Sequence, residues 1–129
     1  MTTKQIGEIG EKLAVEYLLR EGYTIVERNW ADGKGVHCTG EIDIIASRGD
    51  SLQELYIVEV KCRSGRNFRG DYSPEGAFTE RKASRIMSAV TAYAVQTGFL
   101  GRFVFCLVAI NLPSDGSIYS LRFYRDIRL

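Results

Sequence analysis

Three carboxylates and a lysine carry the first chemistry this chain offers. Glu59 and Lys61 sit inside Leu55-Tyr56-Ile57-Val58-Glu59-Val60-Lys61-Cys62, a largely apolar run in which desolvating a charge is costly. Asp43 stands in Gly40-Glu41-Ile42-Asp43-Ile44-Ile45, and Glu11 lies on an opening helical stretch. A hard divalent cation such as Mg²⁺ or Mn²⁺ takes oxygen ligands and keeps several waters, so one or two protein carboxylates are enough to hold it. Asp43 and Glu59 are the candidate direct ligands, with the Val60 carbonyl as a further oxygen. Glu11 is a candidate to bind through water or to orient that water. Such an ion lowers the pKa of a bound water and polarises a phosphoryl oxygen. Lys61, two residues beyond Glu59, would position the nucleophile and offset charge developing on the phosphate. Without a cation the two carboxylates would repel, and one would tend to hold a proton. The chemistry implied is metal-assisted hydrolysis of a phosphodiester.

The elements that must position these groups are legible in the pattern. Residues 4–21 have helical periodicity, with Ile6, Gly10, Leu13, Ala14, Tyr17 and Leu18 on one face and Gly22 as the stop. Glu8 projects to solvent, whereas Glu11 falls at the border of the apolar face, able to lean over a sheet edge. Small residues Gly7, Gly10 and Ala14 allow close approach to whatever the helix covers. Strands are expected at Tyr23 to Arg28, Glu41 to Ser47 and Leu55 to Cys62, with a polar, Gly-rich loop from Asn29 to Thr39. Because side chains alternate across a strand, Asp43 shares a face with Ile45, and Glu59 with Ile57 and Lys61. A hairpin of these two strands therefore brings Asp43, Glu59 and Lys61 together. After a long loop, Arg63 to Phe78, Thr79 caps a second helix that ends near Thr97 and is closed by Gly98. Ala83, Ile86, Met87, Val90 and Ala94 form its expected core face. Arg102 to Ile110 is a strongly apolar strand, and Ser117 to Arg125 a last one. The fold class is α/β, a mixed sheet flanked by helices in the order α-β-β-β-α-β-β.

At 129 residues the chain is sized for a single domain, 1–129, with an ordinary globular composition. A net charge of +1 is too small to name a nucleic-acid partner, but its distribution is informative. Between residues 63 and 85, Arg63, Arg66, Arg69, Arg81, Lys82 and Arg85 oppose Asp71, Glu75 and Glu80. A basic loop and helix start beside an acidic cluster suit a phosphate chain held near a metal. Arg63, Arg66 and Arg69, interleaved with Phe68 and Tyr72, could grip phosphates and stack a base, with Lys82 as a further contact; the competing reading is a solvated loop. Cys38, Cys62 and Cys106 are scattered and odd in number, as expected of reduced thiols. His37-Cys38 matches no zinc spacing, Glu41 reads as a support for Asp43, and Cys106 as a core residue. The N-terminus lacks the apolar core of a signal peptide, and Phe103 to Ile110 is too short to span a bilayer. The expectation is a cytoplasmic protein without a membrane partner.

An isolated Glu-x-Lys is a common strand-surface pair; the combination on these elements, in this order, is what points to a site. The spread Gly7-x-x-Gly10-Glu11-x-x-Ala14, Gly22-Tyr23, Arg28-Asn29, Gly40 to Ile45 and Val58-Glu59-Val60-Lys61-x-Arg63 resembles the YraN-like family of small bacterial proteins, as do Arg81-Lys82 and the Ala92-Tyr93 region. The resemblance covers most of the chain. It implies the restriction-endonuclease-like PD-(D/E)xK fold and a likeness to archaeal Holliday-junction resolvases, with Glu11, Asp43, Glu59 and Lys61 at the nuclease catalytic positions. It further implies DNA, branched or damaged, as the partner, and a homodimer, since a junction presents two symmetric strands. Two features depart from the pattern: Ile42 stands where a proline often precedes the aspartate, and the loop Ala31 to Thr39 is longer than expected.

Two other classes compete. A non-catalytic nucleic-acid-binding module would bind in a salt-sensitive way and turn nothing over. A protein-interaction adaptor would carry the polar cluster only as structure.

Overall fold

Among the described residues two helices take opposite faces of one five-stranded sheet, and the site forms where the sheet's second and third strands diverge. The computed structural model describes residues 1–33, 40–49, 53–65, 79–114 and 117–129. Helix α1 (Thr3–Arg20) precedes strands β1 (Tyr23–Ala31), β2 (Glu41–Arg48) and β3 (Glu54–Ser64); helix α2 (Glu80–Thr97) leads to β4 (Arg102–Leu112) and β5 (Ser120–Tyr124). The strands lie in sequence order, β1-β2-β3-β4-β5. Pairing is antiparallel except between β3 and β4, which run parallel over Glu54↔Arg102 to Ser64↔Leu112. A parallel pair needs a crossover, and α2 lies within that connection. This is the expected α-β-β-β-α-β-β order, consistent with a restriction-endonuclease-like fold.

Each helix is started and stopped by its own sequence. Thr2 caps α1 in a reciprocal box, its Oγ1 accepting from the Gln5 amide at 3.1 Å while Gln5 Oε1 accepts from the Thr2 amide at 2.8 Å. Thr79 Oγ1 accepts from the Lys82 amide at 3.2 Å to start α2. Gly98 closes it in the left-handed conformation, φ 73°, where a side chain would be strained.

The core has two parts because the sheet buries both faces. On the α1 side, Ala14 and Leu18 pack with Tyr23, Ile44, Ala46, Tyr56, Val58 and the β4 residues Val104, Cys106, Val108 and Ile110. On the α2 side, Ile86, Ala89, Val90 and Tyr93 meet Ile42, Ile45 and Ile57, with Trp30 at the rim. Fully burying one such aliphatic side chain contributes roughly 1.5–3 kcal/mol. Strand β4 is buried continuously from Cys106 to Ile110, as a strand covered on both faces must be.

Three local expectations change. Strand β1 does not stop at Arg28 but runs to Ala31, because Trp30↔Ile42 and Ala31↔Glu41 extend its ladder past Asn29. The last strand is shorter than Ser117 to Arg125, since β4 offers partners only to 120–124. Met87 is 43% exposed rather than in the core: the buried stripe is Ile86, Ala89, Val90 and Tyr93, and Met87 lies off its axis. Cys106 is buried, as expected. His37 and Cys38, along with Arg66 and Arg69, lie outside the described residues.

Candidate functional site

The register of β2 and β3 creates the site. Their ladder pairs Ile44↔Val58, Ile45↔Ile57 and Ala46↔Tyr56. Beyond Ile44 the Asp43 side chain takes the place of main chain: its Oδ2 accepts from the Val60 amide at 2.8 Å. Alternation breaks at the same point. Ile45 and Ile42 face α2, whereas Ile44, only two residues from Ile42, faces α1. On the neighbouring strand Asn29 adopts φ 51°, a left-handed conformation that Asn tolerates better than most residues. The irregularity turns Asp43 toward a cleft of about 620 Å³, whose walls include Glu41, Asp43 and Glu59 on one side and Arg81, Lys82 and Arg85 on the other.

The opposite face contributes Glu11. A side chain at Gly10 would collide with Cys62 of β3, so glycine there lets α1 lie directly on the strand. Glu11 follows at that contact. Its Oε1 is buried without a hydrogen-bond partner among the described residues. Burial, with the charges of Glu41 and Glu59, pushes its carboxyl above the ordinary carboxylate range; Arg28 and a hydrogen bond from Asn29 pull it partly back.

Asp43 is perturbed further. Burial first, then the adjacent Glu59 carboxylate, pushes it up to about 8 against the lowering effect of the Val60 amide. Glu59 favours the protonated form of Asp43 both by its charge and as a hydrogen-bond acceptor. Lys61 is lowered from the usual lysine range, by burial and then by the Lys82 ammonium. Glu59 Oε1 receives Lys82 Nζ at 2.8 Å, with the two side chains 12% and 27% exposed.

The structure thus brings Glu11, Asp43, Glu59 and Lys61 into one electrostatic neighbourhood around the interior strands β2 and β3. Lys82, expected as a phosphate contact, is engaged with Glu59. Arg63 is exposed at the end of β3. Sequence reasoning missed Asn29 and the Lys82–Glu59 pair. The Arg28-Asn29 dipeptide was a signal for the first; nothing in the sequence signalled the second. Among the described residues no three His, Cys, Asp or Glu side chains converge to hold an ion unaided. The oxygens nevertheless fit a small hard dication: two carboxylates that resist being charged together, a third with an unsatisfied buried oxygen, and no His or Cys among the described residues that line the cleft.

The sheet is that of a mixed α/β protein, consistent with a restriction-endonuclease-like fold, and its cleft is lined by both acidic and basic residues. Residues 10–110 match the profile described as Uncharacterised protein family UPF0102, the YraN family, and the chain belongs to it. It is 34% identical over 125 residues to UPF0102 protein CPE1705 of Clostridium perfringens, covering 95% of this chain and 93% of that one. A UPF0102 protein of Syntrophomonas wolfei is 35% identical over 114 residues, covering 88% and 89%. One from Phocaeicola vulgatus is 38% identical over 89 residues, covering 69% and 64%. Among the described residues, no helix is long and apolar enough to cross a membrane.

Proposed function

We propose that the cleft is the active site of a Mg²⁺- or Mn²⁺-dependent nuclease that hydrolyses DNA phosphodiesters, with branched or damaged DNA as the favoured class. The observation that carries this reading is the Asp43–Glu59 pair: two neighbouring carboxylates lining one cleft, one pushed up to about 8, facing a basic wall. A bound dication would relieve their repulsion, lower the pKa of a water and polarise the phosphoryl oxygen.

The chain's own groups supply the rest. Asp43 and Glu59 would hold the ion, with Asp43 fixed by the Val60 amide. Glu11 accepts a hydrogen bond from the attacking water and orients it. Lys61 donates to the phosphate oxygens as charge develops on them. Exposed Arg81 and Arg85 line the cleft and retain the flanking phosphates. Double substitution of Asp43 and Glu59 by Ala should abolish metal-dependent cleavage, and unchanged cleavage would sink the assignment.

The Lys82–Glu59 ion pair favours a second reading, a binding module in which Lys82 stands permanently where an ion would otherwise be. Salt-sensitive DNA binding with no turnover in any metal would support it.

A further inference from the structure

We infer that Lys82 is an exchangeable counter-ion: it neutralises Glu59 in the metal-free protein, is expelled when a dication takes that carboxylate, and is thereby delivered to the nucleic-acid backbone. The inference rests on the proposed nuclease reading and adds a coupling between metal and nucleic acid that the reading does not contain.

The geometry favours exchange over a fixed strut. Lys82 Nζ lies 2.8 Å from Glu59 Oε1, so an ion on that oxygen would face an ammonium in the same position. Apart from the ion pair at Nζ, the anchor that the described residues give Lys82 is its main-chain N–H, which donates to Thr79 Oγ1 at the start of α2. Its four-carbon stem is flexible and ends in a compact point charge, well suited to moving between a carboxylate and a phosphate. The side chain is 27% exposed, so its head reaches solvent and the cleft. Arg81 and Arg85, on the same turns of α2, line that cleft. An expelled Lys82 therefore joins an existing basic wall. By linkage, nucleic acid that engages the freed ammonium must tighten the ion by the same factor.

The test is Mn²⁺ binding to the full chain, measured by calorimetry without nucleic acid, for wild type, Lys82→Met and Lys82→Arg. Removing the competing cation should tighten Mn²⁺ by about fivefold in Lys82→Met, the scale of a partly exposed ion pair. Lys82→Arg, which keeps the charge, should resemble wild type. Circular dichroism reports folding, and Lys82→Gln is a second neutral variant. A purely structural Lys82 would lower the melting temperature and leave Mn²⁺ affinity unchanged or weakened, overturning the exchange while leaving the nuclease reading intact. Absence of Mn²⁺ binding by wild type at millimolar ion would overturn both.

A second readout uses binding of a fluorescent DNA duplex in the Lys61→Ala background, in which cutting is suppressed. With Mn²⁺ present, Lys82→Met should reduce the salt slope by about 1, one lost phosphate contact. Without Mn²⁺ the slope should be unchanged, because Glu59 already occupies Lys82. An equal reduction under both conditions would overturn the exchange.

Discussion

The Val60 amide donates to Asp43 Oδ2 at 2.8 Å, so a side chain of β2 completes a rung that its main chain abandons. That single bond holds a half-buried carboxyl beside Glu59 and marks where the two strands diverge. The site is therefore a property of the sheet's register as much as of its residue types.

Stability should depend on pH through Asp43. Its folded pKa is raised from 3.8 to about 8, so the metal-free native state holds this proton more tightly than the unfolded chain does. The resulting stabilisation is fully present below about pH 4 and is lost as pH rises to about 8. Asp43→Asn mimics the protonated form: its carbonyl can accept from Val60 and its amide can donate to Glu59. Thermal melts in chelator should show the variant near wild type at pH 4 and more stable at pH 9; a rise from 3.8 to about 8, at about 1.4 kcal/mol per pH unit, sets an upper bound of about 6 kcal/mol on that difference. A constant difference across that range would contradict the assignment of the proton.

The same proton must leave when an ion binds. At pH 7, below the Asp43 value, binding of Mg²⁺ or Mn²⁺ should release up to one proton and strengthen by up to roughly tenfold per pH unit between 6 and 8. Calorimetry in buffers of differing ionisation enthalpy reads the release directly. Buffer-independent heat would argue that Asp43 is not a ligand.

Gly10→Ala tests the packing that places Glu11. Alanine is favoured in a helix by about 1 kcal/mol, yet the added methyl would overlap Cys62. Overpacking of this kind costs roughly 1–3 kcal/mol, so the collision should dominate. Denaturant unfolding should show a net loss; a gain would mean that α1 rides higher on β3 than described.

Much of this arrangement was legible in the sequence because local signals agree with the fold. Thr79 and Gly98 bracket α2 at the expected residues, and strand alternation correctly put Glu59 near Asp43. What was not legible depends on long-range geometry. Asn29 ended a strand on local grounds, whereas the pairing of Trp30 and Ala31 with β2 carries β1 past it. Period-two reasoning could not foresee that Ile42 and Ile44 face opposite cores. The Lys82–Glu59 pair spans 23 residues of sequence (82 − 59) and depends on how α2 lies over the sheet. Its charge alone suggested a phosphate contact.

The most direct test of the nuclease reading is cleavage of a labelled panel (duplex, nicked, flap, four-way junction and single-stranded DNA, with matching RNA) in Mg²⁺ or Mn²⁺, wild type beside Lys61→Ala. The expected result is metal-dependent cutting of at least one DNA member, slowed by about 10²–10³ in the variant, the scale of one lost transition-state donor. Tight binding without cutting by wild type in either metal would contradict the account and leave a binding module in its place.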